Sequence, residues 1–144
     1  MNQIRLRLAK YFMVFTILGY SLLSCDKLND SAVPDVYVNF SINLSITNDL
    51  TIPGNSVYFP GVGYGGIIVT CYNNGEWYAF DAACTYEVSP NCKVQESDPT
   101  GTCSCCNSEY LLMGSGYPTK GPASMPLKQY HVSIVNPLLI RVYN

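Results

Sequence analysis

Residues 36 to 46 read VYVNFSINLSI, and their alternation limits what this chain can fold into more than any other feature. Val36, Val38, Phe40, Ile42, Leu44 and Ile46 share one parity, while Tyr37, Asn39, Ser41, Asn43 and Ser45 share the other. A helix would scatter those apolar side chains around its axis. An extended strand places them all on one face and leaves the opposite face to water.

The remaining segments repeat the theme in shorter units. Pro53-Gly54 and Pro60-Gly61 turn the chain on either side of Val57-Tyr58-Phe59. Ile67 to Tyr72 and Glu76 to Phe80 flank Asn73-Asn74-Gly75, residues that accept positive φ cheaply, so a hairpin is predicted there. A loop-rich middle runs from Cys84 to Cys106. Strands are then predicted over Tyr110 to Met113, Tyr130 to Val135 and Leu138 to Val142, the last two separated by Asn136-Pro137. No window sustains a helical period. The expectation is an all-β domain of short antiparallel strands, with cysteine-rich loops at one end.

The N-terminus carries a separate message. Arg5, Arg7 and Lys10 precede the apolar run YFMVFTILGYSLL, which is too short to span a bilayer comfortably and has the layout of an export signal. Leu22-Leu23-Ser24-Cys25 follows, and it resembles the lipobox of bacterial lipoproteins. That resemblance implies a signal peptide over residues 1–24, cleavage before Cys25, lipidation of its sulfur, a polar tether over residues 25–35, and a folded domain over residues 36–144. The protein would be held on a membrane of the bacterial cell envelope, on its periplasmic or surface side. Losing residues 1–24 removes three of the eight basic residues and none of the ten acidic ones, so the formal charge moves from -2 to -5. A mildly acidic domain is a poor partner for nucleic acid. One small domain with a modest core remains, and domains of that size often need staples.

Six cysteines are available for that purpose: Cys71, Cys84, Cys92, Cys103, Cys105 and Cys106. In an exported domain they permit fifteen disulfide pairings. Their spacing also permits a metal site. Cys103-Ser-Cys-Cys106 is a C-x2-C knuckle, whose two thiolates can point at one ion. Asn107 stands just after it, where positive φ is commonly required. Cys84 and Cys92 supply a second loop, and the four sulfurs Cys84, Cys92, Cys103 and Cys106 would make a tetrahedral site for Zn2+ or iron. Cys105 faces away in this scheme. Cys71 is then either a small buried apolar residue or its disulfide partner.

From Gly66 onward the chain resembles a Rieske-type domain. GGIIVTCYNNGEWYAFDAACTY is similar to the hairpin that delivers the first ligand loop, where A-x-D-x-x-C-T-H is usual. CSCCNSEYLLMGSGYPTKGPASMPLKQYHVSIVNPLLIRVYN is similar to the second ligand loop, C-P-x-H-G-S-x-F, with its following G-P-A-x-x-P-L segment and closing strands. The resemblance implies a small antiparallel β sandwich or barrel with two cysteine-rich ligand loops, a [2Fe-2S] cluster, and single-electron transfer to a redox protein partner. The ligands depart from the pattern, because the two histidine positions hold Tyr86 and Cys106. A cluster with two Cys and two His ligands cannot be assembled from a chain whose one histidine, His131, sits in a closing strand. An all-cysteine set would favour Zn2+, a single iron, or a [2Fe-2S] cluster of lower potential. The resemblance also implies a rival allocation. High-potential Rieske proteins tie their ligand loops with a disulfide, and Cys105 occupies the second-loop place of that bridge. With Cys92 as its partner, only Cys84, Cys103 and Cys106 stay near the site, which would then be incomplete or lost.

Other chemistry finds less support. Asp81, Glu87, Glu96, Asp98 and Glu109 read as a solvated acidic face with nothing pairing them as acid and base. No spacing brings His131 beside a loop cysteine to form a nucleophile. The glycines of GVGYGG precede a strand rather than a helix, so no phosphate cradle is expected. Trp77 is assigned to the core. An electron carrier or binding module therefore fits better than a stand-alone enzyme. The competing class is a non-redox lipoprotein whose loops are clamped by Zn2+ or disulfides.

Overall fold

The structure, a computed structural model, describes residues 31–144. The export signal, Cys25 and the first part of the tether lie outside the described residues. Among the described residues, ten strands form two antiparallel sheets: β1 Asn39–Asn43, β2 Ser56–Phe59, β3 Ile67–Asn73, β4 Glu76–Asp81, β5 Val94–Ser97, β6 Thr100–Cys103, β7 Glu109–Leu111, β8 Pro118–Lys120, β9 Gln129–Asn136 and β10 Leu139–Tyr143. The larger sheet has the order β1-β10-β9-β4-β3-β2, the smaller β5-β6-β7-β8. One turn of 3-10 helix, Asn48–Thr51, follows β1. Among the described residues no helix is long and apolar enough to cross a membrane.

The alternation of residues 36 to 46 has the predicted effect, although the strand is shorter. Val38, Ile42 and Leu44 are buried, while Asn39, Ser41 and Asn43 are exposed. After Asn43 the chain turns, with the Ile46 and Thr47 amides donating to the Asn43 carbonyl at 3.1 Å, and this carries Ile46 into solvent. The hairpin around Asn73-Asn74-Gly75 forms as expected, pairing Ile67 with Asp81 through Asn73 with Glu76. Within the expected loop-rich middle a hairpin was missed: β5 and β6 pair on either side of Asp98-Pro99.

The β3–β4 hairpin is a wall shared by two cores. Ile67, Val69 and Ala79 face a first core with Val38, Ile42, Leu44, Leu50, Tyr130, Ile140 and Val142. Ile68 and Phe80 face a second core with Val94, Tyr110, Leu112, Leu127 and the thiols of Cys84 and Cys103. A strand covered on both sides needs a continuous apolar run, which is what IIVTC supplies. Trp77 is half-buried against the first core, and its indole N–H donates to the Leu50 carbonyl at 2.8 Å.

The end of the expected tether is held against the domain. Val33 is buried, and Lys128, itself only 3% exposed, donates to the Pro34 carbonyl at 3.0 Å and pairs with the Asp35 carboxylate. A buried ammonium needs such partners, so Pro34 and Asp35 behave as part of the fold.

Candidate metal centre

Two loops deliver the sulfurs. The first leaves β4 at Asp81, and Asp81 sets its path. Its carboxylate is fully buried and accepts from the amides of Tyr64, Gly65 and Ala83 at 2.7, 2.9 and 2.9 Å, and from the Tyr130 hydroxyl at 2.9 Å. The expectation of a solvated acidic face is therefore wrong at Asp81. Four donors take the place of water, and the segment GVGYGG folds over the carboxylate to supply two of them. Gly65 is required there, since a Cβ would stand 2.6 Å from the Ala83 nitrogen. Burial, followed by the Asp81 charge and hydrogen bond, pushes the Tyr130 hydroxyl above its ordinary value.

The second loop is the knuckle between β6 and β7. Its turn closes when the Asn107 amide donates to the Cys103 carbonyl at 3.0 Å, and the Cys103 amide donates to Ser108 at 2.8 Å. Asn107 has φ of 58°, the conformation its position after the knuckle predicts. The Ser108 hydroxyl accepts from the Ala123 amide at 2.9 Å, which fastens the Gly121-Pro122-Ala123 segment behind the loop.

Cys84, Cys103 and Cys106 come together, with their sulfurs all within 4.8 Å of one another. Cys84 and Cys103 are buried and Cys106 is half-buried. Cys84 Sγ lies 3.5 Å from Cys106 Sγ and 3.4 Å from the Tyr110 hydroxyl, which also contacts Thr85 Oγ1 at 3.0 Å. Cys106 Sγ lies 3.1 Å from Ser108 Oγ. Burial pushes the Cys84 thiol up. Hydrogen bonds from Tyr110, from the Glu87 and Tyr86 amides and from Cys103 outweigh burial and hold the thiol below its usual value. Burial pushes Cys103 up to about 12, so it stays protonated beside Cys84. Burial and the bond to Cys84 also raise Tyr110. Donors that favour ionisation of the Cys84 thiol also favour its use as a metal ligand, since a metal binds the thiolate form.

Cys92 is not with them. It forms a disulfide with Cys105, Cα–Cα 5.4 Å, so the expected set of four thiolates is corrected to three, the rival allocation that the Rieske resemblance implied. The reason lies in the strands. The Cys92 carbonyl accepts from the Cys84 amide at 2.9 Å, and the Lys93 carbonyl accepts from Ser104 at 2.9 Å, which brings Cys92 alongside Cys105. Cys71 does not pair with Cys105. It is a buried free thiol in β3, donating to the Asn73 carbonyl at 3.4 Å. His131 is exposed, with its ring 5.4 Å from that of Tyr143, and Tyr86 is 57% exposed.

These donors do not fit a [2Fe-2S] cluster with two histidines, since neither loop contains one. They do not fit a four-cysteine cluster either, since Cys92 is spent in the disulfide. They do fit one soft ion held by three thiolates. Sequence reasoning placed Tyr110 only in a strand and gave Ser108 and Thr85 no role. The signal was available, because all three stand at matched places of the C-T-H and S-x-F patterns.

No family model matches the chain, and no curated protein matches it. Among solved structures, a chain in the complex of reduced oxygenase and oxidized ferredoxin in carbazole 1,9a-dioxygenase aligns with TM-score 0.52 and 18% identity, over 74% of this chain and 93% of that one. The ferredoxin of carbazole 1,9a-dioxygenase from Nocardioides aromaticivorans IC177 gives 0.48 and 20%, over 75% and 95%. Sphingomonas yanoikuyae B1 ferredoxin gives 0.49 and 16%, over 77% and 99%. At such identities the likeness is one of fold, and the fold of this chain is the all-β, Rieske-like one.

Proposed function

We propose that this protein is an exported, lipid-anchored electron-transfer module whose centre is a single thiolate-bound metal ion, held by Cys84, Cys103 and Cys106. One observation carries the reading: three sulfurs converge within 4.8 Å between loops that the Cys92–Cys105 disulfide already ties. A clamp made of metal would be redundant there, so the free thiols are better explained by chemistry than by reinforcement. Iron in such a site would supply one-electron redox chemistry. The protein's own contribution is to bury two sulfurs, to aim the Tyr110 hydroxyl at Cys84, and to keep Cys106 near the surface where a redox partner protein can approach. The ferredoxin-like fold supports an electron carrier. The lipobox at Leu22 to Cys25 supports attachment to the cell envelope.

Purification without air, metal analysis and a visible spectrum test the centre. The expected result is one iron per chain with thiolate-to-iron absorption, lost in Cys84→Ser, Cys103→Ser and Cys106→Ser and kept in Cys92→Ser. Stoichiometric Zn2+ without colour would instead make the site a structural clamp. A metal-free protein would overturn both readings. Cys25→Ser should release the protein from membranes into the soluble fraction.

A further inference from the structure

The sulfurs of the centre are close enough to bond to each other. Cys84 Sγ and Cys106 Sγ stand 3.5 Å apart, in contact. A disulfide needs them at roughly 2.05 Å, with Cα atoms roughly 4.4–6.8 Å apart. The two loops already approach that closely beside the pair, since Cys105, next to Cys106, bridges with Cα–Cα 5.4 Å to Cys92, whose carbonyl accepts from the Cys84 amide at 2.9 Å. Access is graded as well. Cys106 is half-buried, whereas Cys84 and Cys103 are sealed, so a dissolved reagent meets Cys106 first and finds Cys84 directly behind it. That is the layout of an attacking thiol and a resolving thiol.

We propose that Cys84 and Cys106 form a redox-active dithiol that controls whether the centre can hold its ion. The oxidant is a low-molecular-weight disulfide. Cys106 Sγ, losing its proton to solvent, attacks one sulfur of that disulfide, and the first small thiolate leaves. Cys84 Sγ, also deprotonated, then attacks Cys106 Sγ in the mixed disulfide and expels the second. Two protein thiols have lost two electrons and two protons, and the small disulfide has become two thiols. Throughout the cycle Cys92–Cys105 keeps the loops together, so the conversion needs side-chain rotation and no unfolding. Afterwards only Cys103 is left as a donor, and one buried thiol does not retain an ion. The control of metal retention rests on the metal-centre reading above; the pairing of the two thiols does not.

The test uses the full chain, stripped by a chelator without reductant and then incubated with oxidised glutathione. Thiols that survive are alkylated under denaturing conditions and mapped by peptide mass. The pair predicts label on Cys71 and Cys103 and none on Cys84 or Cys106. Cys103→Ser should still form the pair, and Cys84→Ser should stop at glutathione attached to Cys106. Label persisting on Cys84, or a Cys103–Cys106 bridge, overturns the proposal using the unaltered chain alone, whether or not the variants fold. A second arm titrates Zn2+ alone into thiol and oxidised forms. Stoichiometric uptake by the thiol form and its loss on oxidation supports the control. Equal uptake by both forms overturns it. If the thiol form takes up no Zn2+ while the pair still forms, the metal-centre reading fails and the dithiol stands.

Discussion

The two cores of this molecule share the β3–β4 wall and are closed in different ways. On one side, Ile67, Val69 and Ala79 pack in one core with Ile42, Leu50, Ile140 and Val142, where the Tyr130 hydroxyl is tied to Asp81. On the other, Ile68 and Phe80 meet Cys84, Cys103 and Tyr110, so thiols and a hydroxyl lie inside the packing. The period of two along a strand makes this division available. Adjacent residues of one hairpin serve opposite purposes, and a reactive cluster can be backed by rigid strands without interrupting the apolar core behind them. Both sides bury apolar surface, and the sulfur side adds a place where chemistry can happen.

The comparison breaks most severely at Asp81, which joins the two sides. Asp81→Leu would leave the amides of Tyr64, Gly65 and Ala83 buried without acceptors. Each such group costs roughly 1–3 kcal/mol, so three of them should together cost at least roughly 3 kcal/mol, measured by chemical denaturation. Metal uptake should fall with it, because the first loop starts at this residue. Ile140→Ala, confined to the first core, should cost about 3 kcal/mol through lost packing and a cavity. In that variant, Zn2+ uptake by the folded fraction should be unchanged. Weakened uptake would show that the two sides are coupled.

Cys92→Ser sharpens the contrast within the sulfur side. The disulfide closes a sequence separation of 13 residues. Its loss should lower stability by about 2–3 kcal/mol, measured with the remaining thiols kept reduced in both proteins. The three-thiol cluster should survive, since it is positioned by the Asn107 turn and the Asp81 network rather than by the bridge. Loss of metal uptake in a folded Cys92→Ser protein would mean that the fourth sulfur belongs to the centre after all.

What the sequence revealed divides along similar lines. Where a strand has one wet face, as in VYVNFSINLSI, or a hairpin has a turn with a strong φ preference, as at Asn73-Asn74-Gly75, local chemistry dictates local structure and the element type was legible, although the first strand stops at Asn43 and leaves Ile46 exposed. Asn107 belongs to the same class. The misses need information from far along the chain. Asp81 reads as one more acid until GVGYGG is known to fold over it. Strand β5 is mostly exposed, with Gln95, Glu96 and Ser97 in succession, so the β5–β6 pairing leaves little apolar alternation. The fate of Cys92 was open because disulfide and thiolate use the same residue. Only the strand register that sets Cys92 beside Cys105 decides between them.

The smallest expected effect tests whether the hydroxyl in the sulfur core tunes the site or merely fills it. Tyr110→Phe keeps the ring among Ile68, Phe80 and Leu112 and removes one oxygen, so global stability should fall by only about 1 kcal/mol. Its more specific signature is in pH dependence. In the metal-free thiol form, Cys84 is held below the ordinary 9.0, which adds stability that is complete above that value and is lost as pH falls through the depressed one. Cys103 acts in the opposite sense: its value is raised, so its contribution is complete below 9.0 and is lost as pH rises toward about 12. Removing the Tyr110 hydroxyl takes away the largest influence lowering Cys84. The gain in stability between the depressed value and 9.0 should therefore shrink, while the decline above 9.0 remains. Thiolate absorbance followed against pH should show the first ionisation moving upward. An unmoved first ionisation would assign Tyr110 to packing alone and leave the amides of Tyr86 and Glu87 as the groups that make Cys84 acidic.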